Sequence, residues 1–392
     1  MPTAPANSVR PSIRIAYITK LALPSTDAAT VQIVQTASAL ARAGARLELF
    51  FPLNPVATNG SESALRDQLR RQYQTDCGFE LRPLANGWSL SYPFRAGRAA
   101  ARDFRTDLIH TRDVPNLLLG LASGRRVSFE SYRTPDGRTR VVQSLIRRAF
   151  DNPRFLGQVT HSRYAMERYL AAGYPAEKLR TIYNGFDPAA FAVDRTPEAA
   201  RCALGLPERV TVGYAGRLAA FKRVDLLLDA AEAVPELSWV FTGATDPRDA
   251  RELVERGGEL PNVRFLGYRA GEELALAHQA ADILVIPPSA DPLERFGTTV
   301  LPLKLFQYLA AGRPLVVGDV ADTAELLRDG ETCLRVPPDD LPSFIRGVRA
   351  LAGDPGRRAR MGAAARALAQ GLTWDARAAA FLTFLSERLA VG

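Results

Sequence analysis

Short runs of β-branched residues alternate with helix-forming segments along this chain, and this alternation restricts its possible folds more than any other feature. A strand is predicted over 13–19, a helix over 30–43 that ends at Gly44, and a second strand over 47–51. A strand, a helix and a strand in this order form a βαβ unit, whose strands pair in parallel. The same order returns from residue 210 onward, so the sequence predicts two Rossmann-like, doubly wound parallel sheets.

The periodic pattern breaks between residues 186 and 207, where three prolines interrupt it. Open parallel sheets bind ligands at the carboxyl ends of their strands, so a ligand site is expected in a cleft between two such domains. The predicted divisions are a disordered N-terminus over 1–12, an N-terminal domain over 13–190, a linker over 191–206, a C-terminal domain over 207–370 and a C-terminal helix over 371–392.

Cysteine and histidine, three of each, are scattered along the chain without the close spacing of metal ligands or of a disulfide framework. No metal site is therefore expected, and no cofactor. The longest apolar runs are too short to cross a bilayer, and the first residues lack the apolar core of a signal peptide. These features together predict a cytoplasmic protein.

The net charge of +8 comes from arginine, because lysine occurs only at Lys20, Lys178, Lys222 and Lys304. Much of the arginine lies in the first half of the chain, and such a skew attracts anions, including phosphorylated molecules and acidic membrane surfaces. Solvated helix faces in an arginine-rich chain are the alternative explanation. Nucleic acid is not expected as a partner, because no nucleic-acid-binding signature is present.

The first chemically informative segment is GRLAAFKRVD, residues 216–225, which follows a predicted strand. Gly216 lets the backbone approach a phosphate, and the helix that begins at Val224 adds positive potential. Arg217 offers a planar pair of donors and Lys222 a compact charge, so together they suit a diphosphate. Spacing alone leaves open a solvated turn with two surface cations.

The second informative segment covers residues 296–316, where a loop rich in glycine and threonine leads into a helix over 303–311. Backbone amides near Thr298, Thr299 and Val300 are expected to face a phosphate. Lys304 and Gln307 are three residues apart on the helix and therefore lie near one face of it. A connecting helix with a polar beginning is the alternative.

The order of these segments is that of the GT4 family of retaining glycosyltransferases, which the chain resembles. GRLAAFKRVD resembles the diphosphate-binding signature of that family, and LPLKLFQYLAAGRPLV, residues 301–316, resembles its second signature. IYNGFD (182–187) resembles the segment that ends the N-terminal domain, and NVRFLGY (262–268) the segment near the base. The resemblance covers nearly the whole chain and is clearest from residue 159 onward.

The resemblance implies a GT-B fold, in which two Rossmann-like domains face each other across a cleft and a C-terminal helix returns toward the N-terminal domain. It also implies transfer of a sugar, with retention and without a metal, from a nucleotide-diphosphate donor to a hydroxyl group of the acceptor. The implied acceptor is a glycan, a lipid-linked or a small molecule, in cell-envelope glycan biosynthesis. The arginine skew adds an expected peripheral contact with an anionic membrane.

Site residues are implied by position. Arg217 and Lys222 would stabilise the departing diphosphate and are the catalytic candidates of the C-terminal domain. The implied donor-binding residues are Gly216, Leu266, Tyr268, Thr298, Thr299, Val300, Lys304 and Gln307.

Departures from the family pattern affect the donor site. Gln307 lies where the family usually has a glutamate that accepts both ribose hydroxyls, so weaker donor binding is expected. Eight residues earlier the chain has Thr299 in place of an acid. Glu294, five residues upstream of that, is a candidate for contact with the donor sugar or the acceptor.

The N-terminal domain supplies the remaining candidates. His110 ends a strand, and Arg112 occupies a position where many relatives have histidine; both are catalytic candidates. His161 and Asp27 are assigned to the acceptor side. Packing at the end of a strand is the alternative role for both histidines.

Other functions were weighed against transfer. A catalytically weak GT4-like protein that binds nucleotide or a partner glycosyltransferase is the main alternative, because Gln307, Thr299 and Arg112 all depart from the pattern. An epimerase of GT-B fold is disfavoured because the matched signatures are those of transferases. A dehydrogenase is disfavoured because no GxGxxG follows the first strand of either half.

Overall fold

The computed structural model of the chain describes residues 12–54, 61–84, 91–103, 106–244, 250–289, 301–321 and 323–391. They form two domains, each built on one parallel sheet with helices packed on both faces. Buried hydrophobic clusters cover both faces of each sheet, which explains the nearly continuous apolar runs of the strands. The predicted pair of doubly wound sheets is confirmed.

The N-terminal sheet has seven strands in the order β3-β2-β1-β4-β5-β6-β7, and every pairing is parallel. This order places β1 near the middle, as in other doubly wound sheets. The strands are β1 Arg14–Ile18, β2 Arg46–Pro52, β3 Glu80–Leu84, β4 Leu108–Thr111, β5 Val127–Ser131, β6 Phe155–Thr160 and β7 Leu179–Thr181.

Six helices cover the N-terminal sheet in the described part of the chain. The first two pack on one face and the other four on the opposite face. They are α1 Ala28–Arg42, α2 Glu62–Tyr73, α3 Tyr92–Asp103, α4 Val114–Ala122, α5 Arg140–Phe150 and α6 Arg163–Ala171. Helix α1 lies where the sequence predicted a helix over 30–43, and it begins two residues earlier.

The C-terminal sheet is parallel, with the strand order β10-β9-β8-β11-β12-β13. Its strands are β8 Thr211–Ala215, β9 Ser238–Thr242, β10 Val263–Gly267, β11 Ile283–Val285, β12 Leu315–Gly318 and β13 Cys333–Val336. The helices around it are α8 Val224–Ala233, α9 Arg251–Glu259, α10 Gly271–Ala280, α11 Leu303–Ala311, α12 Leu341–Ala352 and α13 Pro355–Ala369. Helix α11 has the bounds that the sequence predicted.

The stretch 191–206, expected as a linker, contains a helix, α7, over Pro197–Ala203. Arg201 of this helix is buried and its Nη1 donates to Asp282 Oδ2 at 2.8 Å. A buried ion pair of this kind holds α7 against the C-terminal sheet, so the segment is packed and structured. Prolines near a helix N-terminus are well tolerated, which is why they did not prevent a helix here.

The last helix, α14 Trp374–Val391, returns to the N-terminal domain, as predicted. Phe381, Phe384 and Leu385 are buried in the core beside α1. The chain therefore passes between the domains twice, once near Gly185 and once near Thr373. These two passages touch: Phe186 N–H donates to Leu372 O, and Trp374 N–H donates to Phe186 O, both at 3.1 Å.

Candidate functional site

A cavity of about 550 Å³ lies between the two domains. Its N-terminal wall comes from the beginning of α1 and the end of α2, and its C-terminal wall from the ends of β8 and β9 and the beginning of α11. This is the edge at which parallel strands usually hold a ligand. Seven of the residues predicted from the sequence line it: Asp27, Gly216, Arg217, Lys222, Tyr268, Lys304 and Gln307.

Gly216 follows β8 directly and shapes the floor of this cavity. Its φ of 148° is rarely adopted by other residues, and a Cβ there would lie 2.8 Å from Lys304 Nζ. Any side chain at this position would therefore displace the lysine. The glycine brings the backbone and Lys304 close together, and the approach of a phosphate to this backbone, which its place in the signature predicts, stays a prediction.

Lys304 extends from the first turn of α11 over the aromatic ring of Tyr214, with Nζ 3.9 Å from the ring centroid. The Ala215 N–H donates to Tyr308 Oη at 2.7 Å, which ties α11 to the end of β8. Burial lowers the pKa of Lys304 well below its usual range, and the charge of Lys222 lowers it further. The Tyr214 ring attracts the charged ammonium group of Lys304, whereas the like charge of Lys222 disfavours it.

Lys222 ends the short 3₁₀ turn Ala220–Lys222 and reaches over the exposed ring of Phe221, with Nζ 5.1 Å from its centroid. Burial of its ammonium group and the nearby Arg217 guanidinium lower the pKa of Lys222. Among the described residues no acidic group opposes the shift of either lysine. Three cations that repel one another at a strand end favour binding of an anion with more than one charge.

Gln307 lies one turn beyond Lys304 and also faces the cavity. Behind it His278 is buried, with its ring 5.0 Å from that of Tyr308. Burial lowers the pKa of His278 to about 4, although a hydrogen bond with Gln307 favours the protonated ring. His278 is therefore neutral at pH 7, and the pair with Gln307 carries no net charge.

The far end of the cavity is formed by both domains. Tyr268 follows β10, and its hydroxyl donates to Gln72 O at the end of α2, at 3.4 Å. Gln74, the next residue but one, has a left-handed φ of 49° and packs against Gly271. Leu266, predicted to bind the donor together with Tyr268, lies in β10 but does not line the cavity.

His110 and His161 do not line the cavity; both are buried beneath the strand ends of the N-terminal domain. Each ring directs Nε2 toward the carboxylate of Glu130, which also accepts from Arg377 Nη2 at 2.9 Å. Burial lowers the pKa of both histidines, against the effect of Glu130. Burial alone would raise the pKa of Glu130, but Arg377 and the histidines lower it well below its usual range.

This arrangement keeps Glu130 ionised and both imidazole rings neutral. A buried residue with these contacts holds the strand ends in place, so the geometry favours packing over direct contact with substrate. The catalytic role predicted for His110 and the acceptor-side role of His161 stay predictions.

Arg112 also lies outside the cavity lining. Its Nη1 donates to Gln32 Oε1 at 2.7 Å and to Ala29 O at 3.3 Å, and its Cζ lies 5.2 Å from the ring centroid of Tyr132. Arg133 approaches the same ring at 5.9 Å, and Tyr132 is 39% exposed. The ends of β4 and β5 therefore present an aromatic ring close to two guanidinium groups beside α1.

Four predicted donor-site residues, Glu294, Thr298, Thr299 and Val300, lie outside the residues that the structure describes. Within the described ranges, no cluster of three or more histidine, cysteine or acidic side chains is arranged to hold a metal ion. The helices of those ranges include none with the length and apolar character required to cross a membrane.

Two features of the site were missed in the sequence. The buried Arg377–Glu130 pair had a detectable signal, because Arg377 falls on the apolar face of α14 between Trp374 and Phe381. The turn at Gln74 had no detectable signal in the sequence, since no local pattern indicates that the end of α2 reaches the other domain.

Two parallel-sheet domains that face each other across a cation-lined cleft define the GT-B class of fold. Residues 29–190 match the family described as "Glycosyltransferase Family 4", and residues 209–354 match the family described as "Glycosyl transferases group 1". Together the two matches cover most of the chain. The chain belongs to the GT4 family of glycosyltransferases.

Similar proteins of known name agree with this assignment. The D-inositol 3-phosphate glycosyltransferase of Streptomyces scabiei is 28% identical over 300 residues, which are 72% of this chain and 63% of that protein. The protein of the same name from Stackebrandtia nassauensis is 32% identical over 217 residues, 51% of this chain and 46% of that protein. The matched region thus spans less than two thirds of the relatives' own length.

Solved structures support the fold. Sucrose-phosphate synthase from Thermosynechococcus elongatus superimposes with a TM-score of 0.76 at 19% identity, covering 97% of this chain and 100% of that one. Anabaena HepE, in complex with UDP and glucose, superimposes with a TM-score of 0.73 at 19% identity, covering 96% of this chain and 100% of that one. At these identities the similarity concerns the fold alone.

Proposed function

We propose that this chain transfers a sugar, with retention and without a metal, from a nucleotide-diphosphate donor to a hydroxyl group of an acceptor. The observation that carries the proposal is the convergence of Arg217, Lys222 and Lys304 at the carboxyl end of β8. Mutual repulsion and burial lower the pKa of both lysines, and a diphosphate would relieve that repulsion. The complex of HepE with UDP and glucose is consistent with such a ligand.

In the proposed mechanism the cations neutralise the charge that develops on the departing diphosphate. Other transferases use a divalent metal for this purpose, and preorganised side chains can supply the same electrostatic stabilisation. The acceptor hydroxyl attacks from the face that the diphosphate leaves, and a phosphate oxygen takes its proton. Retention follows without a protein nucleophile, and closure of the two domains excludes water.

For the acceptor, the proposal is a molecule that carries negative charge. Tyr132, between Arg112 and Arg133, offers an aromatic surface and two guanidinium groups at the strand ends of the N-terminal domain. The names of the Streptomyces and Stackebrandtia relatives contain a phosphorylated inositol, which agrees with an anionic acceptor. A cytoplasmic location, a role in cell-envelope glycans and contact with an anionic membrane belong to the same proposal. The exposed Phe94 and Val141 support membrane contact.

The test begins with the nucleotide. Thermal unfolding in the presence of UDP, GDP or ADP identifies the base, since a ligand at a hundred times its dissociation constant adds about 2.7 kcal/mol of stability. Nucleotide-sugars with that base are then assayed for transfer and for hydrolysis. Nucleotide binding without turnover of any donor would favour the alternative, a catalytically weak member of the family.

Lys222→Ala tests the role of the cations. We expect kcat to fall by about 10²- to 10³-fold with at most a small change in the thermal midpoint, because most of the Lys222 side chain is exposed, only its ammonium group is buried in the cavity wall, and it stabilises charge only in the reaction. Arg349→Ala is the control, since this arginine is 54% exposed on α12, pairs with Glu236 and lies outside the cavity lining. Full activity of Lys222→Ala would contradict the proposal.

A further inference from the structure

One of the three cations is already paired across the cleft. Arg217 Nη2 donates to Asp27 Oδ1, and this contact joins the end of β8 in one domain to the beginning of α1 in the other. Both side chains are partly exposed, at 37% for Arg217 and 52% for Asp27. For the two lysines, no acidic group among the described residues offsets the decrease in pKa.

The carboxylate of Asp27 is available for this contact because it does not cap its own helix. Asp27 occupies the N-cap position of α1 with extended backbone angles, but its side chain accepts no hydrogen bond from the first turn. An N-cap aspartate usually bonds to the amide of the second or third helical residue. Here the side chain reaches the other domain instead, and it lines the cavity together with Ala28 and Ala29.

Asp27 Oδ1 already accepts from Arg217 Nη2, so a diphosphate that binds Arg217 would compete with it for this donor. Both are anions, so they would also repel each other inside one cavity. We propose that Asp27 competes with the donor's diphosphate for Arg217 and thereby sets the affinity for the donor. Donor binding breaks the contact between the domains and releases the Asp27 carboxylate on the acceptor side of the cavity. This inference rests on the proposed function.

The size of the effect follows from the exposure of the pair. Exposed ion pairs change an equilibrium by roughly 1.5- to 5-fold, and removal of a like charge from the cavity adds to this. Asp27→Asn keeps the size of the side chain and removes its charge. We therefore expect this variant to bind inorganic pyrophosphate and the cognate nucleoside diphosphate about two- to five-fold more tightly than the wild type.

Asp187→Asn is the matched control. Asp187 also lines the cavity, but its carboxylate accepts from Ala189 N–H at 2.9 Å and makes no contact with Arg217. The substitution removes the same charge without breaking the pair. Any gain that Asp27→Asn shows beyond that of Asp187→Asn therefore measures the competition for Arg217.

Isothermal titration of the full chain with pyrophosphate, UDP, GDP and ADP provides the measurement. A second pair of variants, Arg217→Gln and Asp27→Asn/Arg217→Gln, must differ by no more than the wild type and Asp187→Asn do, since without the arginine only the loss of a like charge remains. In turnover, Asp27→Asn lowers the donor KM. Thermal unfolding confirms that each variant is folded, and Asp27→Ala repeats the test with a second side chain.

The outcomes separate this inference from the proposed function. The competition is overturned if Asp27→Asn binds no more tightly than the wild type. It is also overturned if the gain in affinity is no larger than that of Asp187→Asn. Either result leaves the proposed function in place. A gain in the Arg217→Gln background as large as the gain in the wild-type background also overturns the competition. Failure of the wild type to bind pyrophosphate or any of the three nucleotides overturns the proposed function, and with it this inference.

Discussion

At the scale of single residues, the cavity brings together side chains whose charges are unfavourable on their own. Lys304 is half-buried against Tyr214, and the charge of Lys222 lowers its pKa further, while Arg217 lowers the pKa of Lys222. A bound diphosphate would reverse this effect, since an opposite charge favours the charged form of a lysine. The affinity for the ligand should therefore depend on pH.

Diphosphate affinity is predicted to fall as pH rises. Without ligand the pKa of Lys304 lies well below its usual 10.5, and with ligand it is higher, so binding takes up a proton between these two values. Titration calorimetry with the cognate nucleoside diphosphate from about pH 7.5 to about pH 9.5 avoids titration of the phosphate and of tyrosine. The decrease is at most about tenfold per pH unit for one proton.

Lys304→Gln should bind more weakly and show a flatter pH profile. Lys20→Gln is its control, because Lys20 is exposed and its amine pairs with Asp113 outside the cavity lining. An unchanged slope in Lys304→Gln would show that another group takes up the proton.

At the scale of elements, a buried ion pair between Arg377 and Glu130 adds to the apolar packing of helix α14 on the N-terminal domain. Arg377 donates to Glu130 Oε1 at 2.9 Å and to the backbone oxygens of Ile182 and Tyr183 at 2.8 and 2.9 Å. Both ionic side chains are almost completely buried. Removal of one member of such a pair leaves an uncompensated charge in the core.

Arg377→Met is predicted to reduce the free energy of unfolding by about 3–5 kcal/mol, measured by urea denaturation. Glu130→Gln combined with Arg377→Met should restore part of the loss, because no buried charge remains unpaired. Arg388→Met on the same helix is the control, since within the described part of the chain Arg388 donates to the backbone oxygen of Leu156 and pairs with no carboxylate. Equal losses for Arg377→Met and Arg388→Met would be inconsistent with a special role for the pair.

At the scale of the whole molecule, the two passages between the domains form one joint. Gly185 lies against the second passage so closely that a Cβ there would come within 2.4 Å of the Thr373 carbonyl carbon and 2.5 Å of the Trp374 nitrogen. The hydrogen bonds between Phe186, Leu372 and Trp374 depend on this approach. Relative placement of the two cavity walls is therefore set at this joint.

Gly185→Ala should separate the passages, reduce stability by about 1–3 kcal/mol and alter kcat and the donor KM together. Gly371→Ala is a close control: it lies on the same passage, and no atom lies within 4 Å of its added Cβ. Thermal unfolding and steady-state kinetics of both variants provide the comparison. If Gly185→Ala and Gly371→Ala have the same thermal midpoint and the same kinetic constants, the joint does not set the placement of the cavity walls.

The sequence alone determined the two parallel sheets, the bounds of α11 and the seven predicted residues that line the cavity. The sheets and the helix bounds depend on local periodicity, which a linear pattern contains. Among the cavity residues, Asp27 and Tyr268 were implied by the resemblance to the GT4 family, and the other five by that resemblance together with the spacing of glycine, cations and amide in two segments. Only the tertiary structure decided that Asp27 pairs with Arg217, 190 residues away, and that Glu130 pairs with Arg377, 247 residues away. It also showed that His110 and His161 are buried beneath the strand ends, which agrees with the packing alternative stated for both. Such contacts depend on how strand ends and domains pack, and no local pattern contains that information.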